Sequence, residues 1–361
     1  MRKIVPFLCL SVLIICSCKS YIDQLPEEHA KALPEFAHSL RERRCAEQKP
    51  ATQQIDELII LMISGGGSNG AFGAGVACGN IDKYTLPDFN IVTGVSTGAL
   101  QATAVFIGKD GKNILKEAYT TITEDDVVDK YFFPLLQNSL SSNKRLKALI
   151  NKYITDRVVD LVARQHRLGR RLYVTTTDLN NSRVVVWELS AIAASGLADR
   201  CDLYRKVLLA SASVPAFYPP VPFTVTINGR DYCQHHSDST TKSLFFCPWM
   251  LEEFDFNSIS AYAIVNHQLP GEPRRIENGI SGMLKAMVKD MLKARAYYGL
   301  IETAQMMRQH RAKFYFVAIP NDMTLEHDEL DFDQIEMQLL FNRGYKMVIG
   351  GDSWLQELPL H

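Results

Sequence analysis

The chain has 361 residues, 47% of them hydrophobic and 22% charged, and its 39 Lys and Arg against 40 Asp and Glu leave a formal net charge of -1. That length and apolar content suit one large globular unit or two small ones with a buried core. The balanced charge excludes a nucleic-acid-binding protein, which would carry a basic excess.

The amino terminus opens with Met1-Arg2-Lys3, and residues 4–15 are almost wholly apolar. A charged start and an apolar run too short to span a bilayer predict a secretory signal. It ends in Ile15-Cys16-Ser17-Cys18, the order of a bacterial lipobox, which makes Cys18 the expected lipidated first residue of the mature chain. The plainer alternative is a cleaved signal with incidental cysteines. A lipid anchor places the protein in the bacterial cell envelope, on the periplasmic or surface face of the outer membrane, without a transmembrane helix. Residues 19–57 are polar, with Pro26, Pro34 and Pro50, and are predicted as a tether with room for a helix over 28–44. The remaining cysteines are Cys45, Cys78, Cys201, Cys233 and Cys247. Their odd number implies a free thiol, and Cys233 and Cys247 either pair across one loop or stay separate. No spacing suggests a metal site.

The folded domain is expected over 58–361. Residues 58–63 form a continuous apolar run, as in a strand buried on both faces. Directly after it comes Ser64-Gly65-Gly66-Gly67-Ser68-Asn69-Gly70, a loop that exposes backbone N–H groups at the start of a helix. It lacks the Lys-Ser/Thr of a P-loop, and an oxyanion hole is the preferred reading. A second strand over 89–93 leads into Gly94-Val95-Ser96-Thr97-Gly98 and a helix from residue 99. Strand, sharp turn and helix around G-x-S-x-G are the context of a nucleophile elbow, with Ser96 as nucleophile and Gly94 and Gly98 as its flanking glycines.

Farther along, 110–165 is mostly helical, with apolar residues at helix spacing over 142–150. Residues 172–177 and 183–189 read as two strands joined by a turn at Asp178, where the aspartate is read as a local cap. A helix is expected to end at Val214 because Pro215 cannot continue it. Asn228-Gly229 marks a hairpin. A strand over 259–265, a helix over 279–310 rich in Met283, Met287, Met291, Met306 and Met307, a strand over 313–320 and a helix over 332–349 complete the chain. The methionines are read as adaptable core packing.

Gly65-Gly66-Gly67-Ser68-Asn69-Gly70, followed one strand and helix later by Gly94-Val95-Ser96-Thr97-Gly98, resembles the patatin-like phospholipase family. The run from Ser64 to Gly75 is similar to its bacterial lipoprotein members, and Asn69 stands where many members carry Arg or Lys. The strand-turn-strand at Asp178 and the small-residue segment Ala210-Ser211-Ala212-Ser213-Val214-Pro215 also resemble the family pattern. The resemblance implies a three-layer α/β/α sandwich with a mostly parallel central sheet. It further implies a glycine-rich oxyanion loop and a serine paired with one aspartate, without histidine.

The family aspartate lies in Asp-Gly-Gly or Asp-Gly-Ala after a hairpin. This chain has Gln234-His235-His236-Ser237-Asp238-Ser239-Thr240 instead. Anchoring on His236 puts Asp238 in the acid position; anchoring on Leu244-Phe245-Phe246 puts Ser237 there. Asp238 is the only carboxylate between Asp231 and Glu252, which makes it the candidate base. His235 and His236 precede it too closely for a Ser-His-Asp relay and are read as exposed loop residues.

The combined expectation is a membrane-tethered serine acyl-ester hydrolase, a phospholipase or lysophospholipase. Ser96 is its nucleophile, Asp238 its base, and the N–H groups of Gly65, Gly66, Gly67 and Thr97 its oxyanion donors. The chemistry requires no metal or organic cofactor. Expected partners are a membrane lipid or other acyl ester and the membrane itself. Two other readings share the same motifs: an envelope lipoprotein that keeps the fold for lipid or protein binding, and an acyltransferase using the same serine.

Overall fold

The computed structural model describes residues 32–39, 54–83, 88–130, 139–240, 248–269, 279–351 and 354–357. The signal, the lipobox with Cys18, Cys45 and Cys247 lie outside the described residues. Cys78, Cys201 and Cys233 carry free thiols.

In chain order the elements are β1 (Ala37–Ser39), β2 (Gln54–Ile63), α1 (Gly70–Lys83), β3 (Ile91–Val95), α2 (Thr97–Phe106), α3 (Lys112–Thr120), α4 (Glu124–Val127), β4 (Asp129–Lys130) and β5 (Ser141–Ser142). They continue with α5 (Lys144–Tyr153), α6 (Asp156–Arg167), β6 (Arg171–Asp178), β7 (Arg183–Glu188), α7 (Leu189–Ala194), α8 (Arg200–Ala212), β8 (Val221–Ile227) and β9 (Arg230–Ser237). The last are β10 (Asp255–Val265), α9 (Ile280–Gln309), β11 (Lys313–Ala318) and α10 (Gln334–Gly350).

The main sheet runs β1-β7-β6-β3-β2-β10-β11, with the β8–β9 hairpin joined to β6. From β6 to β11 every neighbour is parallel, while β1, β7 and β9 pair antiparallel at the other side. Alternate side chains of the parallel strands feed two cores, as strands buried on both faces require. Leu61, Ile63, Val92 and Val174 join the core beneath α1, α2, α3, α8 and α10. Ile60, Met62, Ile91 and Ala263 join the opposite core, covered by the carboxyl-terminal half of α9 and a 3-10 turn at Pro248–Glu253. The result is the three-layer α/β/α sandwich with a parallel centre. Its strands β2 and β3 end at one edge, and the loops that carry chemistry in such sheets gather there.

Three expectations change. The stretch 19–57 is not tether throughout: Leu33 and Ala37 are buried, and β1 pairs with β7 through Ala37↔Trp187. An edge strand left bare would expose its backbone groups, and the short segment covers it, as a strand and not a helix. The strand expected from residue 58 begins at Gln54, with a solvent-facing first turn of the chain that apolar patterning does not reveal. The methionines of α9 divide: Met307 is buried and Met306 packs on the core, whereas Met283, Met287 and Met291 are exposed.

Candidate active site

Ser96 sits between β3 and α2 with φ 55° and ψ -125°, a conformation that L residues adopt only under strain. Gly94 and Gly98 do not take the left-handed turn; Ser96 itself does. Their lack of side chains serves packing. A Cβ on Gly94 would overlap the Gly98 carbonyl, and one on Gly98 would overlap the carbonyls of Ile63 and Ser64. The elbow is therefore held against the end of β2.

The loop after β2 is clamped from β10. Asn266 donates its backbone N–H to Ser64 Oγ at 2.8 Å and its Nδ2 to the Ser64 carbonyl at 2.9 Å, and its Oδ1 accepts from the Gly73 N–H at 3.0 Å. Gly67 has φ 52°, and a Cβ there would overlap the Glu329 carbonyl, which accepts the Ser68 N–H at 2.8 Å. Gly65 lies against Ser96, its would-be Cβ 3.2 Å from the serine Cβ. Among the described residues no hydrogen bond consumes the backbone N–H of Gly65, Gly66 or Gly67. Thr97, as the first residue of α2, also has an N–H without a helical acceptor. The positive ends of two helices thus converge beside Ser96.

Asp238 reaches the same place from the opposite direction. Within the sheet, Val95 is level with Thr175 of β6. Strand β9 runs against β6, with Thr177↔Ser237, so the chain after β9 descends to the level of the elbow. There Ser239 Oγ hydrogen-bonds Thr175 Oγ1 at 2.7 Å, and the Asp238 N–H donates to the Ser213 carbonyl at 2.8 Å. Thr240 donates both its N–H and its Oγ1 to Asp238 Oδ1, each at 2.6 Å. The Ser96 hydroxyl lies beside this carboxylate and stabilises its charged form. Of the two registers left open by the sequence, the structure brings Asp238 to Ser96. Ser237 stays in the hairpin.

Burial pushes the Asp238 carboxyl above its ordinary value, and the charge of Glu329 pushes the same way, while Ser96 and Thr240 oppose them. A carboxylate so placed is a stronger base than one in water.

Two further hydroxyls complete the frame. Ser211 Oγ accepts the Ser96 N–H at 3.1 Å and donates to the Thr175 carbonyl at 2.8 Å. It fixes the strained peptide and takes the nucleophile's own N–H out of oxyanion binding. Tyr119 donates to the Thr97 carbonyl at 2.9 Å and contacts Thr97 Oγ1 at 2.8 Å; burial pushes its phenol up to about 12, so it remains protonated. The fold shows that Ser211 and Ser213 hold opposite halves of the site.

His236 is not an exposed loop residue. It is fully buried, with Nδ1 at 2.8 Å from Thr176 Oγ1 and its ring against Trp187 and Phe223. Burial lowers its pKa to about 4, which keeps it neutral at ordinary pH. It belongs to the core beneath the hairpin. Asp178 caps its turn, accepting the N–H of Asn180 at 3.0 Å and Arg183 Nε at 3.1 Å.

From Ser96 a cavity of about 800 Å³, including its open mouth, runs between α2, α3 and α5. Its wall is mostly aliphatic, with Leu100, Ala104, Ile114, Ala118, Leu146 and Leu149 among the residues that form it; among the described residues its polar side chains are Ser96, Thr97 and three tyrosines. No group of His, Cys, Asp or Glu able to hold a metal occurs among the described residues.

A nucleophile elbow with a glycine loop packed against it is matched by one family model. Residues 61–235 fit the model described as patatin-like phospholipase. Over that span the chain is similar to the patatin-like phospholipase family. The patatin-like match includes the glycine loop, the elbow and the Ser211 segment, and it stops just short of Asp238. Among solved structures, VipD from Legionella pneumophila is similar at 10% identity and a TM-score of 0.36, covering 82% of this chain and 66% of VipD. The type III effector ExoU is similar at 12% identity and a TM-score of 0.33, covering 81% of this chain and 52% of ExoU. The chain therefore spans just under two thirds of VipD and about half of ExoU. The comparison with curated proteins found no match.

Proposed function

We propose that this protein is a serine acyl-ester hydrolase acting on membrane lipid, a phospholipase or lysophospholipase. The observation that carries the reading is a strained, buried Ser96 beside the buried carboxylate of Asp238 at the head of an apolar cavity. Asp238 takes the proton from Ser96 Oγ as the oxygen attacks the ester carbonyl carbon. The carbonyl oxygen becomes an oxyanion held by N–H groups of the Gly65, Gly66 and Gly67 loop and of Thr97. The tetrahedral intermediate collapses, the ester C–O bond breaks, and the leaving alcohol takes the proton from Asp238. Water, deprotonated by Asp238, then releases the fatty acid and restores Ser96. The cavity accommodates the acyl chain, which explains a wall of Leu, Ile and Ala. The family match and the lipobox-like Cys18 support a lipid substrate and a lipid-anchored protein in the bacterial envelope.

The test is turnover of a chromogenic acyl ester, with fluorophosphonate labelling, by the full chain carrying Cys18→Ser. Ser96→Ala is expected to abolish labelling and to lower turnover by about 10³-fold or more. Equal turnover with and without Ser96 would remove the hydrolase reading and leave a lipid- or protein-binding fold.

A further inference from the structure

Helix α9 is much longer than the strands it crosses. It leaves the edge of the sheet where β10 ends and returns to the opposite edge, where β11 begins. Arg295 and Ala296 stand beside Ser64, Gly65 and His267 at the level of the strand ends. Among the described residues, Ala296 is also the first position of α9 in the core, followed by Leu300 and Met307. The part before it, residues 280–294, therefore extends past the sheet on the side that carries Ser96. At 1.5 Å per residue this overhang is about 20 Å long.

On the overhang, Met283, Met287 and Met291 recur four residues apart, on one face. They are 68%, 53% and 56% exposed, and Tyr298, 59% exposed, continues the same face by one further heptad. This face points away from the one that carries Ala296, Leu300 and Met307. Three flexible apolar side chains in a row gain nothing from water, and such rows mark a surface that meets an apolar partner. The partner's charge is indicated by composition. Over 280–294 the sequence holds Lys285, Lys289 and Lys293 against Asp290 alone, in a chain whose total charge is -1. Apolar and basic residues together on one helix are the composition of an element that lies in the interface of an anionic bilayer. Among the described residues no helix is long and apolar enough to cross one.

We propose that the overhanging half of α9 docks the protein on an anionic lipid surface, with Met283, Met287 and Met291 entering the boundary between headgroups and acyl chains. The contact brings the Ser96 end of the sheet toward the bilayer. It stands apart from the hydrolase reading, because binding is measured without turnover.

The experiment uses the full chain with Cys18→Ser, which removes any lipid anchor, and Ser96→Ala, which spares the vesicles. Cosedimentation with phosphatidylcholine vesicles containing phosphatidylglycerol is compared with phosphatidylcholine alone. Binding to the anionic vesicles is expected, weakening with added salt, and Met283→Ser/Met287→Ser/Met291→Ser should reduce it on the order of 10–100-fold. Because the three positions are exposed, the melting temperature should stay where it is, which separates lost docking from lost folding. The proposal is overturned if the parent ignores anionic vesicles, if it binds phosphatidylcholine equally, or if the triple variant binds undiminished. A parent that sediments as a dimer, with a monomeric triple variant and unchanged vesicle binding, assigns the row to a second copy of this chain and overturns it as well.

Discussion

The two halves of the candidate site are built by different means. The Ser96 half is made of backbone shape. Ser96 itself carries the strained turn, glycines let the neighbouring backbones close in on it, and the free N–H groups belong to the glycine loop and the start of α2. The Asp238 half is made of side chains. Thr240, Ser239 and the Ser213 carbonyl hold the acid through hydrogen bonds, at a turn where the family pattern has glycines. The halves even interlock, since a Cβ on Gly65 would overlap Thr240 Oγ1. Backbone shape admits few solutions; a hydrogen-bonded turn admits many. The acid half can therefore diverge while the nucleophile half stays recognisable.

The comparison breaks most visibly at Asp238→Asn. The amide keeps an acceptor for Thr240 but cannot take the Ser96 proton, so turnover is expected to fall by about 10³-fold. A buried charge is lost at the same time. Asp238 has its pKa raised on folding, so its ionised form weakens the fold increasingly as pH rises above the ordinary carboxylate range. Near neutral pH the variant should melt higher by a few degrees, read by thermal unfolding at pH 7 and again at pH 4, where the gain should shrink. A lower melting temperature at pH 7 would mean that the carboxylate stabilises its turn.

A smaller loss is expected at Gly67→Ala. The added Cβ meets a main-chain carbonyl that cannot swing away, and φ 52° is already costly for alanine. The displaced oxyanion loop should lower kcat by about 10²-fold with little change in KM. A rise in KM alone would show that the loop only admits substrate.

The smallest effect sharpens the contrast. Thr240→Val removes the Oγ1 donor and leaves the N–H, so Asp238 loses part of what keeps it ionised. Its pKa should climb further, and the acid limb of the pH–rate profile should move to higher pH, with about tenfold less activity below the limb. An unmoved limb would show that the titrating group is not Asp238.

Legibility in the sequence follows the same division. The elbow and the glycine loop could be read because strain and close approach select glycine at set positions, and the parallel strands because both faces are buried. Asp238 was ambiguous by one residue: a side-chain-built turn leaves no spacing rule, and only the β9–β6 register decides it. The contacts of Ser211, Ser213 and Asn266 leave no trace in the sequence, since they are ordinary small polar residues whose partners lie far away along the chain. His236 was misread as exposed because a lone histidine near a turn carries no burial signal. The methionines of α9 kept one periodicity along a helix whose two halves have different neighbours, so periodicity alone could not separate core from surface.

The short strand β1 has a consequence for reach. Leu33 and Ala37 are packed into the body, so only residues 19–32 lie between Cys18 and the first buried side chain. If Cys18 is the lipid anchor proposed here, the leash spans at most roughly 50 Å at full extension, against about 130 Å for the whole of 19–57. A leash that short would hold the folded domain to a thin shell above its own bilayer. Substrate choice then becomes partly a matter of geometry: the nearest esters are those of the leaflet to which the protein is tied.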